Sequence, residues 1–291
     1  MKKLSFIFIL LLLLSLCGCA AAAPAADIAA TTLPVYQFTG MLCEGTGLTV
    51  TRLVTESVSC LHDYSLNVRQ VKAAECAELI VMSGAGLEDF MADLLEGKQT
   101  IDASQGITPL ESCHSHGQDD HGHHHHEQDS HIWLSPANAM VMAQNICLGL
   151  KAQYPQHANT FDANLTSLLA QLQALLDYGR TQLSTLSCRE LITFHDGFAY
   201  FAHCFDLEIL AAVEEESGSE TSAHQLIELI ELVERHELSA IFTETNGSDA
   251  SAKVIAAETG AALYTLNMAM AGDDYFAAIR HNIDTLKEAL Q

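Results

Sequence analysis

The sequence predicts an α/β protein made of two Rossmann-like lobes, each a parallel sheet flanked by helices, joined by one long rigid backbone helix. Three observations lead there. Short apolar runs alternate with helical patterns, as parallel sheets with crossover helices require. That alternation occurs twice along the chain. Between the two halves, beyond Pro155, an amphipathic stretch carries Leu165, Leu168, Leu169, Leu172, Leu175, Leu176 and Leu183 at helical spacing. About thirty residues at ~1.5 Å each make a rod of roughly 45 Å, long enough to bridge two lobes.

Residues 1–18 read as a lipoprotein signal peptide. Lys2 and Lys3 precede an apolar run from Phe6 to Leu14, which has the length of a signal core and is too short to span a bilayer. Leu16, Cys17, Gly18 and Cys19 resemble a lipobox, so Cys19 is the candidate lipid anchor and membrane lipid an expected partner. Residues 19–27, alanine-rich with Pro24 among them, serve as a tether. Cleavage among the alanines by an ordinary signal peptidase, which would remove Cys19, is the alternative. Either way the expected location is extracytoplasmic, with a membrane-anchored lipoprotein at the cell surface or in the periplasm as the first reading.

The N-terminal lobe is expected over residues 28–153. Strands are read near Ile28 to Thr32, Leu48 to Val54, Glu78 to Met82 and Thr100 to Asp102, with helical stretches at Asn67 to Cys76 and Leu87 to Leu95. The Gly84-Ala85-Gly86 run lacks a dinucleotide-binding fingerprint and reads as a tight turn. A His-rich loop spans residues 113–130, a helix begins after Pro136, and the bridging helix occupies residues 154–186. The C-terminal lobe, residues 187–291, repeats the alternation. Strands are expected at Glu190 to Phe194, Leu207 to Val213, Leu238 to Thr243 and Ala262 to Leu266, and helices at Gly197 to Phe205 and Ala223 to His236. A last helix carries Phe276, Ile279, Ile283, Leu286 and Leu290 on one face.

Composition narrows the partners. The formal charge of −24 makes nucleic acid and anionic membrane surfaces poor ligands. Seven cysteines follow Cys19, an odd number without a CxxC pair, so neither a zinc ribbon nor a paired disulfide framework is indicated. Several lie in apolar stretches as small core residues, and one or two bridges stay open. A monomer is expected.

The histidines carry the chemistry. His114, His116, His121, His123, His124, His125, His126 and His131 crowd into eighteen residues of a chain that holds 15 histidines. Neutral imidazole is a ligand for transition metals, so this stretch raises local metal affinity; a solvated low-complexity spacer is the bland alternative. Three sparser positions matter more. His62 lies in CLHDYSL, His131 in DSHIWLSP and His195 in TFHDGFAYF. Each is expected where a strand gives way to a loop, and in open parallel sheets ligands bind at the carboxyl ends of strands. Singly, each is more often a hydrogen-bonded structural histidine than a ligand.

The motifs HDYSL, GAGLEDF, HIWLSP, HDGFAYF, FTETN and ETGAALYTLN, in that order, resemble the metal-binding subunits of bacterial ABC importers for zinc and manganese, and among them the ZnuA-like zinc receptors. The resemblance runs from about Ala29 to Leu290. It implies a metal held in the cleft between lobes by His62, His131 and His195, with Zn2+ as the transported ligand and Mn2+ less favoured. It also implies a membrane permease with its ATPase as partners, small lobe movements, and capture and delivery without catalysis. His114 to His126 then become an accessory loop that collects zinc weakly. In the manganese receptors a carboxylate stands where this chain has His195, and a late aspartate where it has Asn267. Some zinc receptors place an acid where it has Leu61. The fourth ligand stays open between water, a carboxylate such as Glu214, Glu215, Glu220, Asp273 or Asp274, and Cys60. A three-histidine zinc with an open position also describes a hydrolase, and a zinc-buffering adhesin-type surface lipoprotein is a further alternative.

Overall fold

The computed structural model describes residues 26–56, 58, 61, 64–110, 128–213 and 221–291. The signal segment with Cys19 and most of the tether, Cys60, His62, the histidines from His114 to His126, and Glu214, Glu215 and Glu220 lie outside the described residues.

Two four-stranded parallel sheets organise the chain. In the first, β1 (Ile28–Ala30), β2 (Val50–Arg52), β3 (Leu79–Met82) and β4 (Thr100–Asp102) stand in the order β2-β1-β3-β4. In the second, β5 (Glu190–Thr193), β6 (Glu208–Ala212), β7 (Ala240–Glu244) and β8 (Ala262–Leu266) stand in the order β6-β5-β7-β8. Both sheets therefore reverse their winding between the first and third strands of the lobe. At such a switch point the crossovers leave on opposite faces and a crevice opens beyond the carboxyl ends. The central strands are covered on both sides, which is why β3 reads LIVM and β7 is buried along its whole length.

The helices are α1 (Leu33–Cys43), α2 (Val68–Cys76), α3 (Ala92–Leu95), α4 (Pro136–Gln153), α5 (Ala158–Leu183), α6 (Ala199–Cys204), α7 (Ala223–Arg235), α8 (Ala250–Thr259) and α9 (Tyr275–Leu290). Asn67 caps α2 in a capping box with Gln70, and Ser222 caps α7 in the same way with Gln225. Two helices escaped the sequence reading. α1 buries Leu33, Val35, Phe38, Thr39 and Leu42, so no polar stripe marks its period. α8 is a short, weakly amphipathic helix that ends where Gly260 takes a left-handed conformation, φ 78°, and donates its N–H to Ala256 O at 3.0 Å.

The expected helix from Leu87 to Leu95 is broken. Gly84, Ala85 and Gly86 all have positive φ, and the chain emerges from that turn into a 3-10 turn at Asp89–Met91 followed only by the four residues of α3. Glu88, which would have continued a helix, folds its carboxylate back into the first switch point. There it accepts from Thr31 Oγ1 at 2.6 Å, Ser83 N at 2.8 Å and Gly84 N at 2.9 Å. Burial pushes the Glu88 carboxyl up to about 7. A side chain at Gly84 could not share that space, since a Cβ there would fall 1.9 Å from Asp102 Oδ1.

The bridging helix α5 has 26 residues, about 39 Å of rise, and follows a 3-10 turn at Pro155–His157. Leu168, Leu172, Leu175, Leu176 and Leu183 are buried on it, while Leu165 and Leu169 are half-buried. It packs against α1 and α4 of the first lobe and α9 of the second. A single apolar cluster, including Phe38, Phe161, Phe201 and Tyr275, runs through both lobes. Among the described residues the cysteines are unpaired: Cys43 and Cys147 are buried, Cys188 and Cys204 half-buried, and Cys76 is exposed rather than a core residue. No described helix is long and apolar enough to cross a membrane.

Candidate metal centre

In HIWLSP each residue has a local task. His131 opens a 3-10 turn, Ile132–Leu134, whose three side chains are buried. Ser135 then caps α4, accepting from Asn138 N, and Pro136 takes the first helical turn, where its missing N–H costs nothing. His131 therefore enters the site from a turn and not from a strand end as expected; the nearest strand before it, β4, closes at Asp102. Its ring is fixed by Asp129. Asp129 Oδ1 accepts the His131 main-chain N–H at 2.8 Å and lies 2.7 Å from Nδ1, and both side chains are buried. With Nδ1–H donated to Asp129, the neutral ring has its lone pair on Nε2.

His195 does follow a strand, as expected. It lies just beyond β5, where Thr193 Oγ1 donates to its carbonyl at 3.1 Å. Gly197 then allows the chain to turn close to both histidines. A Cβ there would lie 2.6 Å from Met268 Cε, 2.8 Å from His195 Cδ2 and 3.0 Å from His131 Cγ.

The two rings meet across the cleft. His131 Nε2 and His195 Nε2 are 3.3 Å apart, with ring centroids 5.1 Å apart and planes at 89°. Two imidazole nitrogens bound at 2.0–2.1 Å to one tetrahedral zinc are separated by about 3.3–3.4 Å. The pair has the spacing of two ligands to a single ion. Among the described residues no set of three or more His, Cys, Asp or Glu is disposed to hold a metal; the third expected ligand, His62, lies outside them. The described part of its segment is anchored all the same. Tyr64 donates to Glu56 at 2.8 Å and packs edge-on against Phe90. Gln70 Nε2 ties Leu53 O, Glu56 and Tyr64 together at 2.6–2.9 Å.

Lobe contacts close around the pair. Trp133 Nε1 donates to Met268 O, and Tyr275 Oη donates to Trp133 O, each at 2.8 Å. Arg52 Nη1 reaches Gly272 O at 2.7 Å, and Gln37 Oε1 accepts from Tyr275 N at 2.6 Å.

Two of the carboxylates considered for the fourth position stand elsewhere. Asp274 is the N-cap of α9, accepting from Phe276 N and Ala277 N, and Asp273 is exposed. Asn267 turns its side-chain oxygen to Ala269 N at 2.7 Å, so it serves its own loop. The sequence reading missed two buried acids. Asp129, two residues before His131, carried a local signal in that spacing. Glu244, at the end of β7, carried none: it is buried 3.8 Å from His195 Nδ1 only because β7 lies beside β5.

The sequence profile of the family described as ZnuA, zinc-uptake complex component A, periplasmic, matches residues 28–289. The chain belongs to the ZnuA family. A Treponema pallidum protein named for a suspected metal-binding role is 31% identical over 241 residues, 78% of this chain and 76% of that one. The zinc-binding lipoprotein AdcA of Streptococcus pneumoniae serotype 4 is 29% identical over 281 residues, 90% of this chain. The match covers 55% of AdcA, so the chain spans about half the length of that relative. A crystal structure of ZnuA superimposes with a TM-score of 0.77 at 29% identity, over 92% of this chain and all of that one. In common with that ZnuA structure, this ZnuA-family chain sets two α/β lobes about a long helix.

Proposed function

We propose that the protein is an extracytoplasmic zinc receptor that captures Zn2+ between its lobes and delivers it to an ABC permease, whose ATPase drives import. The observation that carries this is the 3.3 Å approach of His131 Nε2 to His195 Nε2, one from each lobe. Family membership supports it independently. Nitrogen donors suit zinc better than manganese, which favours oxygen. The proposed ligand set is His62, His131 and His195 with water in the fourth position. The lobes are divided at residues 153 and 187, Cys19 anchors the chain to lipid, and the protein acts as a monomer. Zinc is taken up and released unchanged, so the role is transport without catalysis. The histidines from His114 to His126 form an accessory zinc-collecting segment.

Competition with a chelator of known strength tests the site. His62→Ala, His131→Ala and His195→Ala should each weaken zinc binding by about 100-fold or more, since each removes one of the three protein ligands. Wild-type affinity in all three would overturn the assignment.

A further inference from the structure

Glu244 ends β7 beside His195, and the strand pairing puts it there. Thr193 of β5 is in register with Phe242 of β7, and Phe194 N donates to Phe242 O at 2.8 Å, so the residues that follow emerge side by side at the switch point of the second sheet. The loop after β7 leaves room for the acid. Gly247 N donates to Glu244 O at 3.3 Å, and a Cβ on Gly247 would lie 2.6 Å from Glu244 Cγ and 2.7 Å from Oε1. The glycine thus permits the carboxylate to pack under its own turn, where it is buried.

The direction of approach decides what Glu244 can do. Its Oε1 faces His195 Nδ1 at 3.8 Å, whereas His131 meets the same ring at Nε2. The lone-pair directions of the two nitrogens diverge, so a carboxylate that accepts the Nδ1–H supports an ion at Nε2 without having to ligate it. Asp129 stands in the same relation to His131, at its Nδ1 edge. Each lobe therefore supplies one imidazole with a buried acid behind it.

We propose that Glu244 is a positioning residue for the metal. It accepts the Nδ1–H of His195 when Nε2 binds zinc, fixes the ring in the cleft and, with Asp129, offsets the charge of a divalent cation. This rests on the zinc reading above. The present 3.8 Å is longer than a hydrogen bond, so the proposal requires the pair to close by about 1 Å when zinc binds. Acids that orient ligating histidines typically contribute 10- to 100-fold in metal affinity.

The test is zinc affinity by chelator competition on the full chain, with Glu244→Gln, Glu244→Asp and His131→Ala side by side. Glu244→Gln should raise the zinc Kd 10- to 100-fold without lowering the melting temperature of the zinc-free protein. Glu244→Asp, which keeps the charge, should recover part of the loss. In the zinc-loaded protein the His195 Nδ1 proton should resonate further downfield in wild type than in Glu244→Gln, because its acceptor there is charged. A Glu244→Gln Kd within twofold of wild type, or an unmoved Nδ1 proton, overturns the proposal. So does loss of affinity that only tracks loss of the zinc-free fold. If Glu244→Gln does not fold, Glu244→Asp decides by the same Kd and proton criteria. If His131→Ala also binds zinc as wild type does, the metal site itself is wrong; if His131→Ala loses zinc and Glu244→Gln does not, only the role of Glu244 fails.

Discussion

Asp129 holds His131 twice, through the main-chain N–H at 2.8 Å and through the ring Nδ1 at 2.7 Å, both on the same carboxylate oxygen. One acid thus sets both the backbone turn and the protonation pattern of the ring. Asp129→Asn retains an acceptor of the same shape and should weaken zinc binding by about tenfold. Asp129→Ala removes it and should cost about 100-fold. Isothermal titration against a competing chelator measures both, and equal affinities for wild type and Asp129→Ala would refute the assignment.

Gly197→Ala tests the steric side of the same site. The added methyl would fall 2.6 Å from Met268 Cε and within 3.0 Å of the His131 and His195 rings, so it presses directly on both rings. Zinc affinity should fall at least tenfold, by displacing ligands that remain chemically intact, while the zinc-free protein stays folded by circular dichroism. Unchanged affinity would mean the rings are free to move.

Glu88 predicts a pH dependence of stability. Its folded-state value of about 7 exceeds the ~4.3 of a free glutamic acid. Between those values the folded chain holds a proton that the unfolded chain has lost. The contribution to stability is complete below ~4.3 and is lost as pH rises through 7, amounting to about 2–3 kcal/mol between pH 5 and 8. Urea unfolding of zinc-free protein at those two pH values should show this decline in wild type and a smaller one in Glu88→Gln. Parallel declines in the two proteins would refute it.

Deleting residues 114–128 should leave one tight zinc site, because Asp129, His131 and His195 all lie outside the deleted stretch. Titration should show fewer zinc ions bound per chain and an unchanged tightest Kd. Loss of the tight site would transfer the function to the His-rich segment.

What the sequence made legible was local. β8 was read to its observed ends, the capped helix α2 to within a residue, and the motif context of His131 and His195 singled them out from the other histidines. What it hid depended on distant pairing or on complete burial. α1 shows no amphipathic period because its surroundings are apolar on most sides. The helix expected at Leu87 fails because the Glu88 carboxylate bonds to amides at Ser83 and Gly84, a use of the side chain that helix propensity does not register. Glu244 sits in FTETN, which reads as an ordinary strand end; only the register of β7 against β5 brings it to His195.

Leu110 and Asp129 close the base of the His-rich stretch. Asp129 N donates to Leu110 O at 3.0 Å, and Leu110 N is itself held by Tyr200 Oη at 3.0 Å. The chain between them starts and finishes at one fixed point, so its length is decoupled from the geometry of the cleft. By loop-closure entropy, doubling the number of residues between two fixed ends costs only about 0.6 kcal/mol. That makes the position a natural insertion point: a reporter peptide or fluorescent domain placed between Leu110 and Asp129 should leave the orientation of His131 untouched, because Asp129 fixes it from outside the insertion.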